Sequence, residues 1–266
     1  AFYFASNGLR ADSAFVLNAI RNKAYVMFEF ALDALRDNEA FVLDAIVCNY
    51  RAFAGASHRL RHDEVFFLRA VQKNYEVLMI APDVLKRDRV LLWDIIEQDY
   101  RAFNFVPEDL LTDTFVLEAV KRNPKVLQCA APRLKDDKAI ALAAVAVNGR
   151  ALFDVSRRLK ADREVVHRAI NQDIYAIKSA AASLRNDVSF MWAAFELDFT
   201  VFKYAVSALT SNKDFMLAVV QQKGEVLEYA SYDLRSDKEV VDAAIADNPQ
   251  AIRFASVQLR TCTNAL

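Results

Sequence analysis

Leu234-Arg235-Ser236-Asp237-Lys238-Glu239-Val240-Val241 reads as the start of a helix: a leucine, a carboxylate three residues later, then two β-branched apolar residues. Asp is a preferred N-cap because its side-chain oxygen accepts from the free N–H groups of a first helical turn. Working outward in both directions, the leucine recurs at Leu9, Leu35, Leu60, Leu85, Leu110, Leu134, Leu159, Leu184, Leu209, Leu234 and Leu259, at intervals of 26, 25, 25, 25, 24, 25, 25, 25, 25 and 25 residues. The carboxylate or its amide keeps pace at Asp12, Asn38, Asp63, Asp88, Asp113, Asp137, Asp162, Asp187, Asn212 and Asp237, all expected N-caps. Chance does not hold that register, and a fixed period of this length is the mark of a repeat architecture.

After each cap comes an apolar pattern such as Val65, Phe66, Phe67, Leu68, Ala70, Val71, whose spacing predicts a helix with a broad buried face. That helix is expected to end in the left-handed conformation at Asn49, Asn74, Asp99, Asn123, Asn148, Asp173, Asp198 and Asn248. A shorter second helix comes next, carrying Val77, Leu78, Ile80 and Ala81 in one copy and Val226, Leu227, Tyr229 and Ala230 in another. Helices of roughly ten residues are marginal alone, so stacking is obligatory. The expected fold is all-α: a single repeat domain over residues 1–266, built as a right-handed-type α-solenoid of about ten 25-residue helical hairpins in a curved superhelix. The 26- and 24-residue intervals are expected to bend it locally. The chain opens with Phe2-Tyr3-Phe4-Ala5-Ser6, which matches Phe254-Ala255-Ser256 inside a second helix, and stops just past Leu259-Arg260. It therefore reads as an excerpt of a longer polypeptide, or as a protein whose ends are covered by neighbours.

Composition narrows the function classes. Lys+Arg number 34 against 35 Asp+Glu, a formal charge of -1 that argues against a polyanion-coating protein. Only 4 Gly and 5 Pro leave little material for hairpins or phosphate loops. Cys48, Cys129 and Cys262 match neither a zinc ribbon nor a redox dithiol, so an intracellular, reducing compartment is expected. The longest apolar run, Ala139 to Val147, is far short of the roughly 18 residues a membrane span needs.

The segments Val145-Ala146-Val147-Asn148-Gly149-Arg150-Ala151-Leu152 and Tyr229-Ala230-Ser231-Tyr232-Asp233-Leu234-Arg235-Ser236-Asp237-Lys238-Glu239-Val240-Val241 resemble the family catalogued as Domain of Unknown Function 4116. The likeness extends over essentially the whole chain. Pro82, Pro107 and Pro132 near the Ser position, and Asp99, Asp173 and Asp198 at the Asn position, depart from it. The resemblance implies a helical array and no assigned reaction.

Candidate sites are few. His58 and His62 are four apart but straddle a helix junction, and a zinc site needs three or four converging ligands, so they read as surface residues. His167 stands where other copies have Leu or Trp and is expected to be partly buried and hydrogen-bonded; Trp93 and Trp192 share that position and are expected in the core. No nucleophile elbow, phosphate loop or acid–base pair is written in the chain, so no catalytic residue, metal or cofactor is expected.

Two periodic surface features remain. Arg10, Arg36, Arg61, Lys86, Lys135, Lys160, Arg185, Arg235 and Arg260 each come directly after a marker leucine, with Leu111 and Thr210 as gaps. They form either a stripe for an anionic partner, RNA included, or a ladder with the capping carboxylates. Tyr50, Tyr75 and Tyr100 come directly after the Asn or Asp turn, where other copies have Pro or Gly, a tolerance expected of an exposed helix opening. They are candidates for an exposed aromatic interface or for rings folded back on their own repeats. The expected function is a non-enzymatic protein–protein interaction scaffold, adaptor or accessory subunit whose partners are other proteins of a larger assembly. The alternatives are single-stranded RNA binding along the basic edge and the repeat region of a larger enzyme.

Overall fold

The computed structural model describes residues 6–22 and 25–263. Phe2 to Ala5, read as the tail of a second helix, lies outside the described residues, as does the side chain of Cys262. The described residues hold helices and turns and no strand. Ten long helices succeed one another among them: α1 Ser13–Arg21, α2 Glu39–Cys48, α3 Glu64–Lys73, α4 Arg89–Gln98, α5 Asp113–Arg122, α6 Lys138–Val147, α7 Arg163–Gln172, α8 Val188–Leu197, α9 Lys213–Gln222 and α10 Lys238–Asp247. The array divides into two compact units, one running to Ala131 and one from Pro132.

Nine of the ten expected caps do what their chemistry suggests: Asp63 accepts from the Phe66 N–H at 2.8 Å and Asp187 from the Phe190 N–H at 2.8 Å. The exception is Asp113, which is the first residue inside α5, and Thr112 caps in its place through the Phe115 N–H. The reason lies in the turn. In eight of the other repeats the cap N–H donates to the marker leucine three residues back, as from Asp63 to Leu60, whereas Thr112 donates to Leu110, two residues back, at 2.7 Å. The residue missing from the 24-residue interval is thus lost between leucine and cap. The extra residue of the 26-residue interval falls between Ile20 and Tyr25, a stretch that is only partly within the described residues.

The residues expected to close the long helices in the left-handed conformation do not. Asn49 lies at φ -162 and Asn74 at φ -158, both extended, and each turns its side chain forward to cap the next helical segment. Asn49 accepts from the Arg51 N–H and Asn148 from the Arg150 N–H, each at 3.0 Å. An amide or carboxylate suits this place because it satisfies the free donors of a new helical start. The second limb is correspondingly broken. It is mostly a short 3-10 segment, such as Gly149–Phe153, Ile174–Ser179 or Gly224–Tyr229, and then a separate helical turn that carries the marker leucine. Extended residues such as Ala180 (φ -64, ψ 150) and Ala205 (φ -61, ψ 150) divide the two.

Within each unit the long helices pack side by side in one layer and the 3-10 segments in another, as α6 does beside α7 and Gly149–Phe153 beside Ile174–Ser179. The core lies between, filled by paired apolar residues one turn apart: Phe66, Phe67, Ala70 and Val71 in α3, Phe115, Val116, Ala119 and Val120 in α5. Leu60, Leu85, Leu134, Leu159, Leu184, Leu209 and Leu234 are buried, Leu35, Leu110 and Leu259 half-buried and Leu9 exposed.

Two ladders join neighbouring repeats. One is backbone: the carbonyl after the marker leucine accepts an N–H from the next repeat, at Arg36–Ser57 (2.8 Å), Lys135–Ser156 (2.9 Å), Lys160–Ala181 (2.8 Å), Thr210–Ser231 (3.0 Å) and Arg235–Ser256 (2.8 Å). The other is ionic. Lys138 reaches Asp162 and Glu164, both at 2.8 Å, and Lys213 reaches Asp237 at 2.7 Å and Glu239 at 2.9 Å. Hydrogen bonds from these ammonium groups hold the Asp162 and Asp237 carboxyls below the usual range against a smaller opposing effect of burial. A carboxyl whose folded pKa lies below the unfolded value of about 3.9 contributes fully above that pH and loses the contribution as pH falls through the folded value. Asp162→Asn with Asp237→Asn is therefore expected to lower the urea midpoint at pH 7, with the gap to the parent protein closing in acid as the pH falls through the depressed folded values. A gap that persists in acid would show that the cations are not its source.

Candidate functional site

Three surfaces carry chemistry. The first is on the long-helix layer of the second unit, where α6, α7 and α8 frame a groove of about 840 Å³. Its apolar wall is Leu142, Ala143, Ala146, Phe190 and Ala193. The outward positions of Ala143 and Ala146 carry Glu118 and Lys121 in the preceding repeat, so the hollow is made by alanines standing where long polar side chains stand elsewhere. His167, expected to be partly buried, is exposed here instead, its Nδ1 at 3.0 Å from the Asn171 amide. The alanine neighbours leave nothing tall enough to cover it. Arg163 pairs with Asp187 at 2.9 Å, and Glu164 with Lys138. Arg168 also lines the groove, and its side chain makes no hydrogen bond or ion pair among the described residues.

Trp192 and Trp93 occupy the equivalent of the His167 position and are half-buried on this layer rather than in the core. A helix position between the buried face and solvent leaves one flank of an indole exposed. Trp192 packs on Phe195 and Phe215, and Trp93 on Phe115 beneath Arg89 and Arg122.

The second surface is the 3-10 layer of the first unit. Tyr50, Tyr75 and Tyr100 are half-buried, each engaged by a cation. Arg51 donates to the hydroxyls of Tyr50 (3.2 Å) and Tyr25 (2.6 Å), Arg101 lies 4.3 Å from the Tyr75 ring centre and Lys125 6.0 Å from that of Tyr100. The tyrosines interleave with cations, Arg101 and Lys125 coming from the next repeat, instead of standing out as bare rings. Where the second unit has Gly149 and Gly224 at this position, both are buried, contrary to an exposed helix opening: a Cβ would sit 2.3 Å from the Ala169 carbonyl oxygen and 2.2 Å from that of Ala244. Backbone crowding, not solvent, selects glycine there.

The third is the basic row, which is neither a free stripe nor a ladder with the caps. Arg36 Nε donates to the Gly55 carbonyl at 2.8 Å, Arg185 reaches the carbonyls of Ala180 (3.2 Å) and Tyr204 (2.8 Å), and Lys160 that of Phe153 (2.6 Å). Lys86 lies 3.5 Å from Asp83, and the Nε atoms of Arg61 and Arg235 are buried without a hydrogen-bond partner. At Lys135 it is the backbone carbonyl that serves the ladder between repeats. Arg36, Lys160 and Arg185 thus meet carbonyls at the ends of second-limb segments, where cations are favoured. The capping carboxylates are matched by Lys138, Arg163 and Lys213, which come after the caps rather than before them.

His58 and His62 stack at 4.1 Å between ring centres, His62 also bonding the His58 carbonyl at 2.9 Å. No group of three His, Cys, Asp or Glu is placed to hold a metal ion among the described residues. Cys48 and Cys129 are free thiols, and no described helix is long and apolar enough to cross a membrane. The groove escapes motif reading because alanines at outward positions carry no motif; their contrast with Glu118 and Lys121 is the one signal of it in the sequence.

Repeats of one long helix, one short second-limb segment and one leucine-bearing turn define the class: a helical-repeat protein. The family model "Domain of unknown function (DUF4116)" matches residues 38–86, 66–111, 114–160, 162–207 and 212–260, and the chain belongs to that family. No curated protein and no solved structure matches it.

Proposed function

We infer that the chain is a non-enzymatic protein–protein interaction scaffold, acting as an adaptor or accessory subunit of a larger assembly. The observation that carries this reading is the groove across α6, α7 and α8. Its volume of about 840 Å³ suits several partner side chains, its alanine walls permit close backbone approach, and the uncommitted Arg168 offers an anchor for a carboxylate. Helical recognition segments use this combination of apolar ridge and charged edge.

Ala146→Glu with Ala193→Glu tests it. The equivalent positions carry Glu97 and Glu118 in other repeats, so the long-helix layer tolerates the change while the groove fills. Affinity capture from native extract, quantified by mass spectrometry, is expected to lose its specific partners about tenfold or more in the double variant, at unchanged helicity. Equal partner recovery by both proteins would remove the groove as the docking site.

A further inference from the structure

The 3-10 layer of the second unit carries a surface unlike the others. Arg150 and Tyr175 occupy one outward position of successive repeats, and Phe153 and Lys178 another, so aromatic ring and cation alternate both along and across the layer. These four, with Ser179 and Tyr204, line a pocket of about 360 Å³. The rings are open: Phe153 is 70% exposed and Tyr175 57% exposed. Arg150 lies 5.9 Å from the Tyr175 ring centre while paired with Asp173 at 2.6 Å. Lys160 sits 5.2 Å from the Phe153 ring centre. The Lys178 side chain makes no hydrogen bond or ion pair among the described residues.

The stretch that carries the pocket is basic in sequence, and Arg150 and Lys178 are its cations at the pocket itself. Between Pro132 and Asn186, eleven Lys and Arg face six Asp and Glu in a chain whose total is -1. Glu225 and Glu228 hold the same two outward positions further along, so the basic strip has an end.

From this arrangement we propose that the Phe153–Tyr175 pocket binds single-stranded nucleic acid, stacking one or two bases on the exposed rings and meeting the flanking phosphates with Lys178 and Arg150. Every base has a π face, so stacking needs no sequence preference, and alternation of ring and cation matches the alternation of base and phosphate along a strand. An acidic peptide would use the cations but has no need of two rings that are mostly exposed. The site differs from the basic row after the marker leucines, in which Arg36, Lys160 and Arg185 are spent on backbone carbonyls, and it goes beyond the protein-docking groove on the opposite layer.

Fluorescence anisotropy with labelled oligouridylate tests the proposal, with labelled oligoglutamate as the competing polyanion. Oligouridylate is expected to bind with an affinity that falls steeply between roughly 50 and 200 mM salt. Phe153→Ala and Tyr175→Ala should each weaken it about tenfold. Both rings are mostly exposed, so these variants keep the parent helicity. Lys178→Ala should weaken binding and reduce the salt slope by about one. Absence of binding at low salt, binding indifferent to loss of both rings, or oligoglutamate binding as tightly as the nucleotide strand would each overturn it.

Discussion

Gly149→Ala and Gly224→Ala are each expected to destabilise the protein by about 2–3 kcal/mol, read as lowered midpoints in urea unfolding. The cause is steric and local. The new methyl carbon would meet the Ala169 carbonyl oxygen at 2.3 Å in one case and the Ala244 oxygen at 2.2 Å in the other, and both obstacles are backbone atoms of a long helix. No side-chain rotation relieves such a contact; the next repeat must shift. A shift would also stretch the bond by which the Gly149 N–H reaches Gln172 and that from the Gly224 N–H to Asp247, 2.7 Å in length. Two other glycines grade the effect. At Gly55 the methyl meets the Phe28 ring, 2.6 Å away, which is a side chain with some freedom to move. At Gly8 it meets only the Ser6 hydroxyl at 3.8 Å, so Gly8→Ala should be neutral or slightly stabilising. Equal effects at Gly8 and Gly149 would refute crowding as the cause.

Those glycines mark where sequence stops being sufficient. The leucine and cap positions are legible because each answers to a local rule: an apolar side chain returning to the core every repeat, and a short acceptor at a helix start. Asp113 misleads because Thr112 beside it is equally able to cap, and only the shortened turn at Leu110 decides between them. The Asn and Asp turns mislead because one residue type serves two roles, closing a helix in the left-handed conformation or opening the next one from extended backbone. Gly149 and Tyr75 share a repeat position, yet the first is fixed by a neighbouring backbone and the second by a stacked arginine, and neither neighbour is local in sequence. The candidate surfaces are less legible still. Lys160 and Arg185 look like free charges until the carbonyls they meet are known. Tyr175, in contrast, stands at a position that the repeats from Arg51 to Gln250 otherwise fill with polar residues, and Phe153 at one that is polar apart from Ala54 and Met79, a signal present in the sequence but outweighed by the more regular tyrosine row.

The second large effect is expected at Ser57, where Ser57→Pro should cost about 2 kcal/mol. Ser57 already lies at φ -59 and ψ 159 after an extended Ala56, so proline fits the backbone without strain. The loss is in bonding: the N–H donated to the Arg36 carbonyl at 2.8 Å, the hydroxyl donated to Asp37, and the Oγ cap on the Leu60 N–H at 3.2 Å. Asp37, held below the usual carboxylate range by that hydroxyl and by Arg59, would keep only the arginine. Ser57→Ala separates the contributions, because it keeps the N–H and loses only the side-chain bonds. The native sequence makes the proline substitution at two later junctions of the same unit. Pro82 and Pro107 stand where the ladder requires an N–H, so the carbonyls of Arg61 and Lys86 cannot receive the bond that Arg36 receives. Pro82→Ser should therefore recover a rung and offset the unfolded-state entropy that proline had removed, leaving stability unchanged or raised by up to about 1 kcal/mol. If Ser57→Pro proves no worse than Ser57→Ala, the backbone rung contributes nothing, and the prolines lose their significance as gaps in the coupling between repeats.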